Sequence, residues 1–316
     1  MKNLVYISVL LFVIFACTKE VDIDIPQHQE QLVVDGRVET GGFPIVLLSK
    51  STDIYGQTDA NQVLESFETG AIITVSDGIN VVVLDEICSN SLPPSVASAF
   101  AEFFGIEESE LGNFDLCVYT TTDPSVIGEV GKTYSLNIDY ENEIYQAETT
   151  ILPEVPLDSI YWKEDPDNPD NGFCWATLTD PAGQGDSYFW EARRIHVNQE
   201  GDPTDELFQN TFNPAFTDDF FDGLSIDFAY ENPQGFTDES LQQNERGYYQ
   251  REDSVVIKFS KIDLGVYEFM EKKYTQLQTG GSPFATPLNI PSNLTNGARG
   301  VWAGYSTSYD TLYCVE

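Results

Sequence analysis

From Gln31 onward the apolar residues of this 316-residue chain fall into short aliphatic runs. Gln31 to Val38 and Pro44 to Lys50, separated by Glu39-Thr40-Gly41-Gly42, each predict a strand. Ala71 to Val75 and Asn80 to Leu84 flank Asp77-Gly78, a dipeptide suited to a tight turn with positive φ, and predict a hairpin. Tyr134, Leu136, Ile138 and Tyr140 alternate with polar residues up to Glu141-Asn142, and Tyr145, Ala147, Thr149 and Ile151 alternate beyond it. Period two in both arms buries one face and wets the other. With no crossover helices between these strands a parallel sheet is not expected. An antiparallel sandwich of immunoglobulin or fibronectin type is.

The period changes once inside this region. Ser95 to Phe104 places Val96, Phe100, Phe103 and Phe104 at helical spacing, with Ser95 as cap and Gly105 as stop, and Cys88 and Cys117 stand at the two ends of the excursion. Its apolar residues need cover, so a packed decoration is expected rather than a contact surface. Leu152-Pro153-Glu154-Val155-Pro156 then breaks the strand pattern twice. The predicted organisation is a β-sandwich domain over 31–155, with a helical insertion over 88–117, followed by a second β-rich domain over 156–316.

In the second domain Ser159 to Lys163, Phe173 to Thr179 and Ser187 to Val197 read as strands. The acidic stretch Glu164 to Gly172 between the first two reads as a solvated turn, since Pro169 falls where a calcium-binding loop needs a ligand. Gly201 to Gln243 has little periodicity beyond Leu224 to Tyr230 and reads as a long excursion. Tyr248 to Gln250 and Ser254 to Ile262 resume the sheet. A helix follows, with Asp263 as cap, Val266, Tyr267, Met270, Tyr274 and Leu277 on one face and Gly280-Gly281 as stop. After a loop over Ser282 to Gly300, two strands, Val301 to Tyr305 and Thr307 to Val315, close the chain.

The first residues add an address. Met1-Lys2 is a short basic start, and Leu4 to Ala16 is a run of thirteen residues without a charge, ending at Ala16-Cys17. At ~1.5 Å per residue this is too short to cross a ~30 Å hydrocarbon core. It has the form of a signal peptide over 1–16, with cleavage before Cys17 and acylation of that cysteine. Residues 17–30 are then a lipidated tether, joining the chain to membrane lipid through Cys17.

Charge narrows the partners. Against 52 acidic residues the chain has 15 basic ones, which excludes nucleic acid and a basic patch on anionic lipid. Setting Cys17 aside for lipid leaves Cys88, Cys117, Cys174 and Cys314, an even number that fits two disulfides in an oxidising compartment. Three connectivities exist, and the pairs Cys88 with Cys117 and Cys174 with Cys314 each stay within one domain. Structural zinc is not expected, because no two cysteines have C-x-x-C spacing and His28 and His196 are the only histidines.

No catalytic constellation emerges, so no catalytic residue, metal or cofactor is assigned and the chain is not expected to be an enzyme. Gly304-Tyr305-Ser306-Thr307-Ser308 lacks the second glycine of a nucleophile elbow, and His196 falls in an alternating strand pattern. Trp162, Trp175, Trp190 and Trp302 with Tyr248 and Tyr249 have the makings of a stacking platform for a glycan or other flat ligand, but aromatic residues in half-buried strands are more often core. Asp158-Ser159-Ile160, Asp253-Ser254-Val255 and Asp310-Thr311-Leu312 resemble a bacterial O-glycosylation pattern at a length where chance also supplies it.

Taken in order, these pieces resemble a family of Bacteroidota outer-membrane lipoproteins known as domain of unknown function 4249. The resemblance lies in Leu32-Val33-Val34-Asp35-Gly36, Val46 to Ser51, Leu152-Pro153, Asp158-Ser159-Ile160, Ser282-Pro283-Phe284, Pro287 to Asn293 and Gly300 to Gly304. The acidic tether after Cys17 resembles the signal such bacteria use to send lipoproteins to the outer face of the outer membrane. What the resemblance implies is a non-enzymatic outer-membrane lipoprotein, facing the cell exterior, that serves a TonB-dependent transporter in capturing or admitting a nutrient. A structural or adhesive cell-surface lipoprotein is the alternative.

Overall fold

The computed structural model describes residues 29–51, 60–104, 106, 108–196, 204–205, 207–233, 246–279 and 288–315. Among them no helix is long and apolar enough to cross a membrane. The chain is mainly β. In the first half the strands are β1 (Leu32–Glu39), β2 (Ile45–Lys50), β3 (Ile72–Ser76), β4 (Val81–Val83), β5 (Asp85–Cys88), β6 (Cys117–Thr120), β7 (Thr133–Tyr140) and β8 (Glu143–Thr150). In the second half they are β9 (Ser159–Asp165), β10 (Asn168–Thr179), β11 (Ser187–Arg194), β12 (Gln209–Thr217), β13 (Ser225–Tyr230), β14 (Tyr249–Gln250), β15 (Ser254–Ile262) and β16 (Arg299–Tyr313). Among the described residues three α-helices accompany them: α1 (Ala60–Glu65), α2 (Pro94–Phe104) and α3 (Leu264–Thr279).

Both expected hairpins form, and for the reason the turns supply. Gly78 has φ +89° at the β3–β4 turn, and Glu141 and Asn142 have φ +52° and +66° between β7 and β8, the left-handed pair a two-residue turn requires. Helix α3 starts where Asp263 accepts a hydrogen bond from the Val266 amide at 3.0 Å, a side-chain N-cap. Its buried face is Val266, Phe269 and Met270, whereas Leu277, expected there, is 65 % exposed. The expected stop at Gly280-Gly281 lies outside the described residues.

An eight-stranded sheet organises the molecule, in the order β12-β11-β15-β16-β1-β2-β6-β5. It takes strands from both halves, and β1 and β16 pair in parallel, against the expectation of antiparallel pairing only. The connection between them is nearly the whole chain, so no short crossover announces it. The two closing strands expected around Ser306 are one strand, β16, whose first part pairs with β1 and whose second part pairs with β15.

Two smaller antiparallel sheets, β4-β3-β7-β8 and β13-β10-β14 with β9, cover one face of the large sheet. The first core lies under the former, with Val34, Val38, Leu48, Ile73, Leu136 and Trp302. The second lies under the latter, with Cys174, Leu178, Trp190, Ile257, Phe259 and Leu312. Ile151 belongs to the first core and Val155 and Leu157 to the second, so the cores change over near the expected boundary while the large sheet runs through both. On the opposite face α3 covers Phe189, Ile262, Val301, Ala303 and Tyr305.

Two further differences have local causes. Glu164 to Gly172 is largely strand, because β9 and β10 extend to a turn at Pro166-Asp167, and Trp162 packs so closely on Gly172 that a Cβ there would meet its Nε1 at 2.3 Å. β12 arises within the stretch read as an excursion. It is the edge of the large sheet, where a strand tolerates Pro214 and needs no continuous apolar run.

Candidate functional site

A groove of about 1130 Å³ lies on the helical face of the large sheet. Its floor is the outward-facing side of β1 and β2, with Val33, Asp35, Leu47 and Ser49. Alternation explains this: Leu32, Val34 and Val38 enter the first core, so Val33 and Asp35 point the other way. One wall comes from Val63, Leu64, Phe67, Phe103 and Phe104, the other from Phe269, Lys273, Leu288 and Ile290. Lys273 Nζ reaches Asp35 Oδ2 at 3.2 Å, and Arg299 Nε donates to Gln31 Oε1 at 2.9 Å.

The helical insertion is one of these walls rather than a fully packed decoration. Phe104 packs on Phe67 and Phe100, with ring centroids at 5.0 and 4.9 Å, but Val96 and Phe103 remain 43 % and 38 % exposed. Cys88 and Cys117 form the expected disulfide, and as directly paired residues of β5 and β6 they close the insertion at its base. The second expected bridge is not formed. Cys174 and Cys314 are free thiols buried in the second core. An even count and a shared domain put them in one core but do not join them. Burial, together with the neighbouring Cys314, pushes the Cys174 thiol up; burial, with Asp253 beside it, pushes Cys314 up to about 12. Cys17, the residue assigned to lipid, lies outside the described residues, as does nearly all of the tether.

Charged side chains gather elsewhere as well. On the outer face of the large sheet Lys258 Nζ lies 2.6 Å from Glu39 Oε2 and 3.0 Å from Glu191 Oε2. Burial disfavours the charge on Lys258 and on Arg37, but Glu191 and Glu39 outweigh it and hold both above their usual values. Arg194 grips Asp205 through two nitrogens at 3.0 and 2.8 Å, and His196, just past the end of β11, stands 3.5 Å from Asp253.

Asp180, Asp218 and Asp222 bring carboxylate oxygens within 4.8 Å of one another, a donor set suited to a hard cation. Each already accepts from a glycine amide: Asp180 from Gly223 at 3.0 Å, Asp218 from Gly185 at 3.0 Å and Asp222 from Gly183 at 2.7 Å. The acidic run Glu164 to Asp170 is met by Arg251, whose nitrogens lie 2.9 Å from Glu164 and 3.5 Å from Asp170.

Of the six aromatic residues singled out in the sequence, Trp190, Trp302 and Tyr249 are fully buried and Trp162 packs against the second core. Trp175 and Tyr248 stand on the opposite, wet face of the same sheet. The three serine and threonine residues of the glycosylation-like triplets all lie in strands, Ser159 and Thr311 exposed and Ser254 half-buried. Asn293 uses its side chain internally: its amide nitrogen donates to Trp302 O at 2.8 Å and its oxygen accepts from Trp302 N at 2.9 Å.

No curated protein matches the chain. Residues 18–310 match the model of the family described as Domain of unknown function (DUF4249), and the chain belongs to that family.

Proposed function

We propose that this is a non-enzymatic lipoprotein of the bacterial outer membrane, facing the cell exterior through an acylated Cys17, that serves a TonB-dependent transporter in capturing or admitting a nutrient. The observation that carries this reading is the position of the groove. Gln29 and Gln31, where the chain arrives from its N-terminus, line it. Gln29 is twelve residue steps from Cys17, and at ~3.3–3.6 Å per step these reach at most about 43 Å. An apolar concavity tethered at that distance from a bilayer is held where the outer loops of a transporter stand, and the groove is the surface offered to it.

The same proposal takes the first half as an immunoglobulin- or fibronectin-like sandwich. In support of it, β4-β3-β7-β8 faces β1-β2-β6-β5 across one core. Mild-detergent purification of the native lipidated protein, with mass spectrometry of what accompanies it, is the test. A transporter barrel at near equal amount supports the accessory role. Recovery alone, or with surface polymer and no barrel, overturns it in favour of a structural or adhesive component.

A further inference from the structure

The β13-β10-β9 layer has one face in the second core, formed by Ile160, Trp162, Cys174, Ala176, Leu178 and Phe228. Its other face is wet, and for most of its length it carries what a wet face should: Ser159, Thr177, Thr179, Ser225 and Asp227. Four aromatic residues interrupt that pattern. Trp175 sits opposite Tyr161 on β9, the two rings 19° apart in plane with centroids at 6.3 Å, and Tyr161 is 38 % exposed. In the next row along the strand Phe173 meets Tyr248, with centroids at 4.8 Å.

On the β13 side the register neighbour of Trp175 is Ala229, an exposed residue whose methyl group covers little of the indole. Two residues further along, Ser159 Oγ donates to Thr177 Oγ1 at 3.1 Å and Thr177 Oγ1 donates to Asp227 Oδ1 at 2.7 Å. A flat ring surface therefore borders a row of hydroxyl and carboxylate groups. From β9 to β13 the surface is about 10 Å across, and successive rows lie ~6.8 Å apart, dimensions that seat about two pyranose rings.

Charge complementarity selects the occupant. The rim offers two carboxylates, Asp227 at one end and Asp165, whose carboxylate faces the Tyr248 hydroxyl, at the other, against the cation of Lys163, whose Nζ lies 4.8 Å from the Trp175 ring centroid, on a chain with net charge −37. Hydroxyl donors suit such a rim, while carboxylated or sulfated polymers are repelled. Pyranose rings present C–H faces to aromatic rings and hydroxyls to the edge. We infer that the wet face of this sheet, centred on Trp175 with Tyr161, Ala229 and Asp227, is a binding platform for a neutral oligosaccharide.

The inference goes beyond the transporter reading and stands on the sheet face alone. Calorimetric titration of the purified full-length lipidated chain in detergent tests it, with hexasaccharides of α-1,4-glucan, β-1,4-glucan, β-1,4-mannan and β-1,4-xylan, and with hexagalacturonate as the acidic counterpart. At least one neutral hexamer should bind with Kd below about 1 mM, and W175A and A229F should each weaken it about tenfold or more, while hexagalacturonate does not bind. A229F fills the space beside the indole with a residue that strands accept, so the test survives if W175A does not fold. Absence of binding by all four neutral hexamers, binding unchanged in both variants, or equal binding of hexagalacturonate overturns the proposal. The cross-strand rings would then serve only to stabilise the sheet. Saccharide binding without a co-purifying barrel leaves the platform standing and removes the accessory role, and the converse result does the reverse.

Discussion

Gly36 and Trp302 lie opposite one another on the parallel strands β1 and β16, and the indole of Trp302 occupies the space a side chain at 36 would need: a Cβ there would stand 2.8 Å from Trp302 Cε3. Trp302 is fully buried, and its Nε1 donates to Tyr134 O at 2.9 Å. Asn293 pairs with both backbone groups of the same residue. Gly36 and Asn293, which lie in two of the separated segments through which the sequence resembles its family, thus both meet the tryptophan of a third, Gly300 to Gly304.

Substitutions around this tryptophan should differ in cost. At Gly300, with φ +100° and a notional Cβ 1.9 Å from Val34 O, alanine meets backbone and strain together. G300A should destabilise by about 3 kcal/mol or more, G36A by about 1–3 kcal/mol because the indole has some freedom to shift, and N293A by about 1–3 kcal/mol because it orphans buried polar groups. Urea unfolding monitored by tryptophan fluorescence checks the order.

Lys258 stands between Glu39 and Glu191 with its side chain only 5 % exposed. K258M removes the cation from between two carboxylates and should cost about 3–5 kcal/mol, part of which E191Q in the same chain recovers. The sign of the pH dependence follows from the raised Lys258 pKa. Its contribution is complete below the unfolded value of 10.5 and is lost as pH rises through the higher folded value. Alkaline melting curves should therefore fall more steeply for the native chain than for K258M.

The cysteines should behave as two populations. Cys88 and Cys117 close a loop of sequence separation 29, and C88S/C117S should lose about 3–4 kcal/mol. Thiol titration of a chain beginning at Thr18 should find no reactive group while it is folded and two in denaturant, from Cys174 and Cys314. A count of zero in denaturant would show that these two are bonded.

Asp77 anchors the β3–β4 turn, accepting from the amides of Ile79 at 3.0 Å and Asn80 at 2.7 Å. Those amides, with Lys132 nearby, hold its carboxyl at about 2, below its ordinary value of 3.8. A depressed carboxyl stabilises the fold above its unfolded pKa and loses that contribution as pH falls through the folded one. The melting-temperature gap between the native chain and D77A should be widest above pH 4 and shrink toward pH 2.

The sequence made the hairpins readable because their turns are encoded locally, by Asp77-Gly78 and Glu141-Asn142. It hid the β1–β16 pairing because nothing near Leu32 or Gly300 names a partner at the other end of the chain. β16 looks like two strands in the sequence because residues 301–307 are buried on both faces and show no alternation. The groove was invisible for a similar reason, since its floor and walls come from separate parts of the chain, as the Asp35–Lys273 contact shows. The wet aromatic face was within reach. Trp162 shares its parity with Ile160, and Trp175 differs in parity from Cys174, Ala176 and Leu178, so alternation alone separates the inner tryptophan from the outer one.

Site-specific photocrosslinking in intact cells tests the proposal that the groove faces a transporter. A benzoylphenylalanine at Val63 or at Leu288, both on the groove wall and 46 % and 39 % exposed, is compared with one at Ile79, 87 % exposed at the β3–β4 turn. Crosslinks from Val63 and Leu288 to a TonB-dependent barrel, with none from Ile79, are the predicted result. Crosslinks to a barrel from Ile79 alone, or from none of the three, would contradict it.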